Sequence, residues 1–346
     1  MRQFYHSLLT FNDFYSTNGL NKIDTLFQEY LKDTSFPLLK VLVNYREKAC
    51  YDSETILHLA PLLENFISKI FTLEERKKSW KNNHEELFNI FYCRRKFVQR
   101  NITYSDYNET ALLKAQELFR KENILLTDEL ALAKLIIKYQ KDENISEYLK
   151  SFIAWALFSA SGRKQFKDSV LFSPPQKLDY DNLVVDAKRN DISVTVNEHK
   201  SRNGFDLDEN YLSQKSAVIN AHYCLDCHKR GKDSCSKGML DKVTNMVIKN
   251  PLDIILSGCP LRQKISEMNI LKKQGIIIGA LATAMIDNPM IAATGHRICN
   301  DCMKSCVYQK QDPVNVPLIE SKVFDEVLRL PYGFEIYNLL SRWNPL

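Results

Sequence analysis

Seven of the nine cysteines in this chain fall in the stretch from Cys224 to Cys306: Cys224, Cys227, Cys235, Cys259, Cys299, Cys302 and Cys306. Cys50 and Cys93 stand alone. The spacing reads Cys-x2-Cys-x7-Cys-x23-Cys-Pro, then Cys-x2-Cys-x3-Cys. Two cysteines with two residues between them can offer both thiolates to one metal or one cluster edge from a single turn. Cys302 and Cys306 are four apart, so on a helix they would face one side. A Cys-Pro step such as Cys259-Pro260 also closes ferredoxin-type cysteine runs, where that cysteine often serves the other cluster. Seven thiols exceed the four that one zinc takes and nearly fill the eight ligand places of two four-iron clusters. Two rival chemistries use part of the set. Cys224-Leu225-Asp226-Cys227-His228 matches the C-x-x-C-H haem attachment pattern, which requires export and an axial ligand elsewhere and leaves five cysteines unexplained. Structural zinc could take Cys224 and Cys227 with two distal cysteines or His228, making a zinc-stabilised interaction module with no redox role. No Ser–His–Asp pattern, paired glycosidase carboxylates or phosphate loop is present, so catalysis by side chains alone is not expected.

The elements that must position these thiols read as helices. Leu20, Ile23, Leu26, Phe27 and Leu31 recur at helical spacing, as do Ile56, Leu59, Leu63, Phe66 and Ile67, with Pro61 as a kink or start inside that run. Ser53 is expected to cap the second run and Thr127-Asp128-Glu129 to open a later one. Ser173-Pro174-Pro175 breaks the pattern, and Leu183–Val196 is rich in β-branched residues, as a short strand or hairpin would be. We therefore expect a helical region over 1–172, a linker over 173–210 and a helical cysteine domain over 211–346. In the last, helices are expected at Leu261–Gln274, with Pro260 at its start, and at Ile276–Ile286, Leu318–Leu328 and Phe334–Trp343. The basic runs Arg76-Lys77-Lys78 and Arg94-Arg95-Lys96 read as solvated helix faces.

The chain has 346 residues, of which 45% are hydrophobic and 26% charged, with a net charge of +5 and 10 glycines. That charge is small for a dedicated nucleic-acid binder. No secretory signal or stretch long enough to cross a bilayer is apparent. The expectation is a cytoplasmic protein with neither nucleic acid nor membrane as partner, in a reducing compartment where clustered cysteines bind metal.

Gly258-Cys259-Pro260-Leu261-Arg262-Gln263-Lys264-Ile265-Ser266-Glu267-Met268-Asn269 resembles the Cys-Pro helix of the small subunit of glutamate synthase. The same helical iron–sulfur domain opens dihydropyrimidine dehydrogenase and related FAD-dependent oxidoreductases. Asp287-Asn288-Pro289, Thr294-Gly295-His296-Arg297-Ile298-Cys299, Cys302-x3-Cys306 and Pro313–Glu320 follow in that family's order. The resemblance covers roughly residues 221–330. It implies a mainly α fold with an alpha-helical ferredoxin-like domain holding one or two [4Fe–4S] clusters. By position, Cys224, Cys227, Cys235 and Cys306 would hold the first, and Cys259, Cys299 and Cys302 with Glu320 the second. The implied function is electron transfer between a flavoprotein domain or subunit and a partner enzyme. This sequence departs from the family in the long stretch between Cys235 and Cys259 and in Asn300, where the family has proline. No G-x-G-x-x-G occurs, so FAD and NAD(P)H are expected on a partner chain or a further domain of a longer oxidoreductase. His228 and His296 could tune cluster sulfur by hydrogen bonds, or be ordinary surface histidines. Arg262, Lys264 and Arg297 could offset cluster charge, or be solvated. Ile265, Leu271, Ile276, Ile277, Ile278 and Leu281 would wall a cluster from water or fill a core in any case.

Overall fold

A computed structural model describes residues 9–48, 52–99, 102–166, 169–172, 214–295 and 298–346, with 178, 180, 186–189, 192–195 and 204 between them. The described chain is mainly helical. In the first part, helices span Thr17–Thr34 (α1), Phe36–Lys48 (α2), Ser53–Phe71 (α3), Glu74–Cys93 (α4), Glu109–Lys121 (α5), Glu129–Tyr139 (α6), Glu143–Phe158 (α7) and Ala160–Gln165 (α8). After an antiparallel pair of short strands, Asp186–Arg189 and Ile192–Thr195, come Gln214–Tyr223 (α9), Ser234–Lys237 (α10), Ile265–Lys273 (α11) and Ile277–Asp287 (α12). Ile291–Thr294 (α13), Asp301–Lys304 (α14), Val316–Leu328 (α15) and Gly333–Arg342 (α16) complete the order.

The buried apolar side chains form two clusters. The first unites Ile23 and Phe27 of α1 and Leu63 and Phe66 of α3 with the faces of α11, α12, α15 and α16. It thus draws residues from both sides of the 173–210 stretch. The second lies within α4–α7 and the turn after α8, from Ile90 to Phe172.

At the centre of the first cluster is α12, buried on every face from Ile277 to Met285, as a helix apolar all round must be. Its opening amides are capped across the core by Glu64 of α3: Ile278 N and Gly279 N donate to Glu64 Oε2 at 2.7 and 3.2 Å. Burial pushes the Glu64 carboxyl up to about 7, and the two amides pull it back. The α3 helix runs unbroken through Pro61. Its cap is Asp52, whose side chain accepts from Thr55 N at 2.7 Å, and not Ser53, whose hydroxyl instead donates to Glu267 of α11. Asp128 caps α6. Trp343, just past α16, packs edge-on against Phe27 and donates from Nε1 to Asp24 at 2.8 Å. Arg46 holds the same carboxylate at 2.5 Å.

Candidate metal centre

The first cysteines sit where helices have just ended. Cys224 follows α9, Cys227 opens a short 3-10 turn, and Cys235 lies in α10. Between them, Asp226 (φ 51°) and Asp233 (φ 38°) take the left-handed conformation. Such a residue turns successive amides toward one point and makes an anion-binding concavity. Asp226 N reaches Cys224 Sγ at 3.5 Å, and the amides of Asp233 and Ser234 point at the Cys227 sulfur. The Asp226 loop is tied to α11 by Lys273, 2.5 Å from the Asp226 carboxylate.

The segment between Cys235 and Cys259 loops out and returns. Met239 N donates to Leu256 O, Ile248 N to Met239 O and Leu256 N to Ile248 O, all within 3.0 Å. The stem closes on two glycines in the left-handed half of φ, Gly238 (91°) and Gly258 (79°). A Cβ on Gly258 would lie 2.9 Å from Ser236 O and nearer still to Gly238 N. The closure leaves Cys259 N donating to Cys235 O at 2.9 Å, so the insertion does not separate the two cysteines.

Pro260 does not open a helix, as the sequence suggested. Arg262 is left-handed (φ 53°), Arg262 N closes a turn onto Cys259 O, and α11 begins at Ile265. The amides of Leu261 and Gln263 go to the Cys259 sulfur. Nor do Cys302 and Cys306 share a helix face: α14 stops at Lys304, and Cys306 lies on the turn beyond.

Cys224, Cys227, Cys235 and Cys306 line one cavity, with Asn269, Ser234 and Tyr308. All four thiols are buried. The space left among them is about 20 Å³. Among the described residues, no group of three or more His, Cys, Asp or Glu could hold a metal ion as the side chains stand. Asn269 is fully buried and close enough to Cys224 to favour its thiolate. Neither of its amide atoms has a partner at hydrogen-bond distance, and the Ser234 hydroxyl is likewise orphaned. Unmet polar groups in a closed space are rare. The thiols divide electrostatically. A hydrogen bond from Cys235 pushes Cys227 down to about 6, and the same contact pushes Cys235 up. Burial pushes Cys224 up to about 11 and raises Cys306.

The other sequence-singled residues form a second group. Cys259 is pushed up by burial first, then by the charges of Glu320 and Cys299. Cys302 is pushed up by burial, then by Glu320, Cys259 and Cys299. Glu320, buried on α15, is raised to about 8 by burial alone. Cys299 is exposed and Cys259 half-buried, so this group opens to the surface.

Of the neighbours named from sequence, His228 is half-buried with Nδ1 unpartnered. Arg262 is exposed, and Lys264 is paired with Asp287 at 3.1 Å. His296 and Arg297 lie outside the described residues, as does Cys50. Arg94 and Arg95 are not a solvated face. A π-helical turn over Arg94–Val98 carries them inward. Arg94 lies over the Tyr223 ring, which stacks on Tyr308 at 4.4 Å. Arg95 donates to the carbonyls of His222 (2.7 Å) and Cys224 (3.4 Å). A π turn leaves no mark on hydrophobic periodicity, and Asn269 is one of several polar residues in α11, so the sequence does not single it out.

A family model described as the RP005 N-terminal alpha-helical domain matches residues 5–72. The protein called uncharacterized protein RP005, from Rickettsia prowazekii (strain Madrid E), is 30% identical over 301 residues, 78% of this chain and 98% of that protein. Uncharacterized protein RP006 of the same organism is 75% identical over 57 residues, 16% of this chain and 8% of that protein. No solved structure matches the chain.

Proposed function

The chain belongs to the RP005 family, and for this member we propose that the seven clustered cysteines and Glu320 hold two [4Fe–4S] clusters in an alpha-helical ferredoxin-like domain that relays electrons. The observation that carries the proposal is the convergence of Cys224, Cys227, Cys235 and Cys306 on one buried cavity, from both ends of the cysteine-rich stretch. The resemblance to the glutamate synthase small subunit supports it from the sequence side.

The donor set suits the group. Buried thiols pushed upward stay protonated until a cationic centre offsets their charge, which inverts the local preference. Amides aimed at Cys224, Cys227, Cys259, Cys302 and Cys306 favour thiolate at each. Hydrogen bonds to sulfur and exposure are what set a cluster's potential. The buried first group and the more open second group therefore give two sites of different potential. The first needs its thiols to turn apart on their loops, since the space between them is now water-sized. When bound, such clusters take up and release single electrons; the chain's own residues hold them, exclude water and break no substrate bond. The electron donor would be a flavoprotein domain or subunit carrying FAD and served by NAD(P)H, and the compartment cytoplasmic.

Anaerobic purification with iron, acid-labile sulfide and zinc assays tests the proposal. About eight iron and eight sulfide per chain, with a broad thiolate-to-iron absorption, is the expected result. Stoichiometric zinc without sulfide would overturn it and leave a zinc-stabilised module.

A further inference from the structure

A second cavity, of about 1050 Å³, lies among α3, α4, α9 and the turn between α11 and α12. It is at the upper end of the range that holds small ligands, about 300–1,000 Å³. None of the seven clustered cysteines lines it.

Its wall is aromatic and its rim cationic. Phe88, Phe91 and Tyr92 project into it from α4. His222 stacks on Phe91 with ring centroids 4.4 Å apart and planes 6° from parallel. Lys77, Lys81, Arg95, Lys96 and Lys273 reach it. The one described acidic residue lining it is Glu64, whose carboxylate oxygen is occupied by the α12 amides.

Two buried imidazoles are left incomplete. His84 Nδ1 lies 2.7 Å from Trp80 O. A carbonyl can only accept, so Nδ1 carries the proton and Nε2 presents a bare lone pair. His84 is 5% exposed, and its Nε2 has no partner. His222 is also 5% exposed, with Nε2 unpartnered. Burial pushes His84 down to about 4, in keeping with a neutral ring that carries its proton on Nδ1 toward the Trp80 carbonyl, so Nε2 accepts a hydrogen bond and does not attract an anion. A fitting occupant has three parts: a flat ring for the aromatic wall, an N–H group for His84 Nε2, and an anionic end for the lysines.

We propose that this cavity binds a nucleoside phosphate, its heterocycle against Phe88 and Phe91 with an N–H donated to His84 Nε2, and its phosphate among Lys77, Lys81 and Lys96. Arg95, which grips the carbonyls of His222 and Cys224, ties the cavity wall to the first cysteine group. The inference does not depend on which metal those cysteines hold.

The test is calorimetric titration of the full chain with AMP, ATP, GTP and FMN, and with adenosine, guanosine, riboflavin and inorganic phosphate as controls. At least one nucleotide should bind with Kd of roughly 1–100 µM. Its unphosphorylated counterpart should bind at least about tenfold more weakly, as loss of charge-assisted hydrogen bonds requires. K81E/K96E changes two exposed side chains and should weaken binding by about tenfold or more. H84F, which removes the acceptor, should do likewise, with thermal melting as the control for folding. F88A, at a side chain 55% exposed, provides a second variant that the core does not need. No nucleotide binding at millimolar concentration, equal binding of nucleoside and nucleotide, or titrations unchanged in K81E/K96E and F88A would each overturn the proposal.

Discussion

Cys224 and Cys259 test the two-group arrangement at single atoms. Cys259 is joined by a backbone hydrogen bond to Cys235, which shares a cavity with Cys224, yet Cys259 does not line that cavity. If each set holds its own four-iron cluster, C224S and C259S should each lower iron from about eight to about four per chain. C224S/C227S should lower it no further, because both thiols serve one site. The double variant C224S/C259S should lose nearly all iron, and a chemical iron assay reads the difference directly. The pairing of Cys224 with Cys227 at one cavity was legible from spacing alone, since a thiol pair two residues apart is a local statement. What spacing could not supply was the left-handed backbone at Asp226, Asp233 and Arg262. Those are non-glycine residues whose conformation is imposed by where their amides must point. Asn269 and the inward-turned Arg95 were hidden for a related reason: their roles come from packing against segments far away in sequence.

At the scale of elements, the α3–α12 junction makes a pH prediction. Glu64 titrates near 7 in the folded chain, above the ordinary value of 4.5. Between those two pH values the unfolded chain releases a proton that the folded chain keeps. Stability therefore falls as pH rises through this window, and the full penalty is present above it. E64Q keeps an oxygen for the Ile278 and Gly279 amides and cannot ionise. It should match the native protein near pH 4 and exceed it at pH 8, by roughly 1–3 kcal/mol in urea unfolding. A second prediction concerns the stem of the 239–257 excursion. G258A forces a side chain into a left-handed position against the Ser236 carbonyl and should cost at least about 1 kcal/mol. Replacing 240–255 with a short flexible link should cost much less, because the closing bonds from Met239 N to Leu256 O and from Cys259 N to Cys235 O lie outside the replaced segment. The helices that apolar periodicity marked, such as α1, α3, α12, α15 and α16, were legible to within a few residues, whereas α2, α4 and α7 were not singled out. Exact starts were not legible: Ser53 was the expected cap, but its hydroxyl donates to Glu267 and the residue before it, Asp52, caps the helix. The start of α11 moved from Leu261 to Ile265 because Arg262 takes the left-handed conformation, which no α-helix can contain.

For the whole molecule, the grouping of elements matters more than their identity. Periodicity marks that a face is buried but is silent on its partner. For that reason residues 1–172 read as one helical region, although α1 and α3 share a core with α11–α16. A fragment of residues 214–346 would expose the α12 face that α3 covers and leave two amides uncapped. It should be unfolded or aggregated, whereas the same fragment mixed with residues 1–73 should recover helical circular dichroism. Folding of the fragment alone with native thermal stability would show that the first helices are dispensable.

The same junction sets a timetable for synthesis. Glu64 and the amide it caps are 214 residues apart, and ribosomes add about 5–20 residues per second. The apolar faces of α1 and α3 therefore wait roughly 10–40 s for their partner to emerge. For that interval a nascent chain displays Phe27, Leu63 and Phe66 to solvent, a span in which holdase chaperones can engage it and in which crowded neighbouring ribosomes favour aggregation.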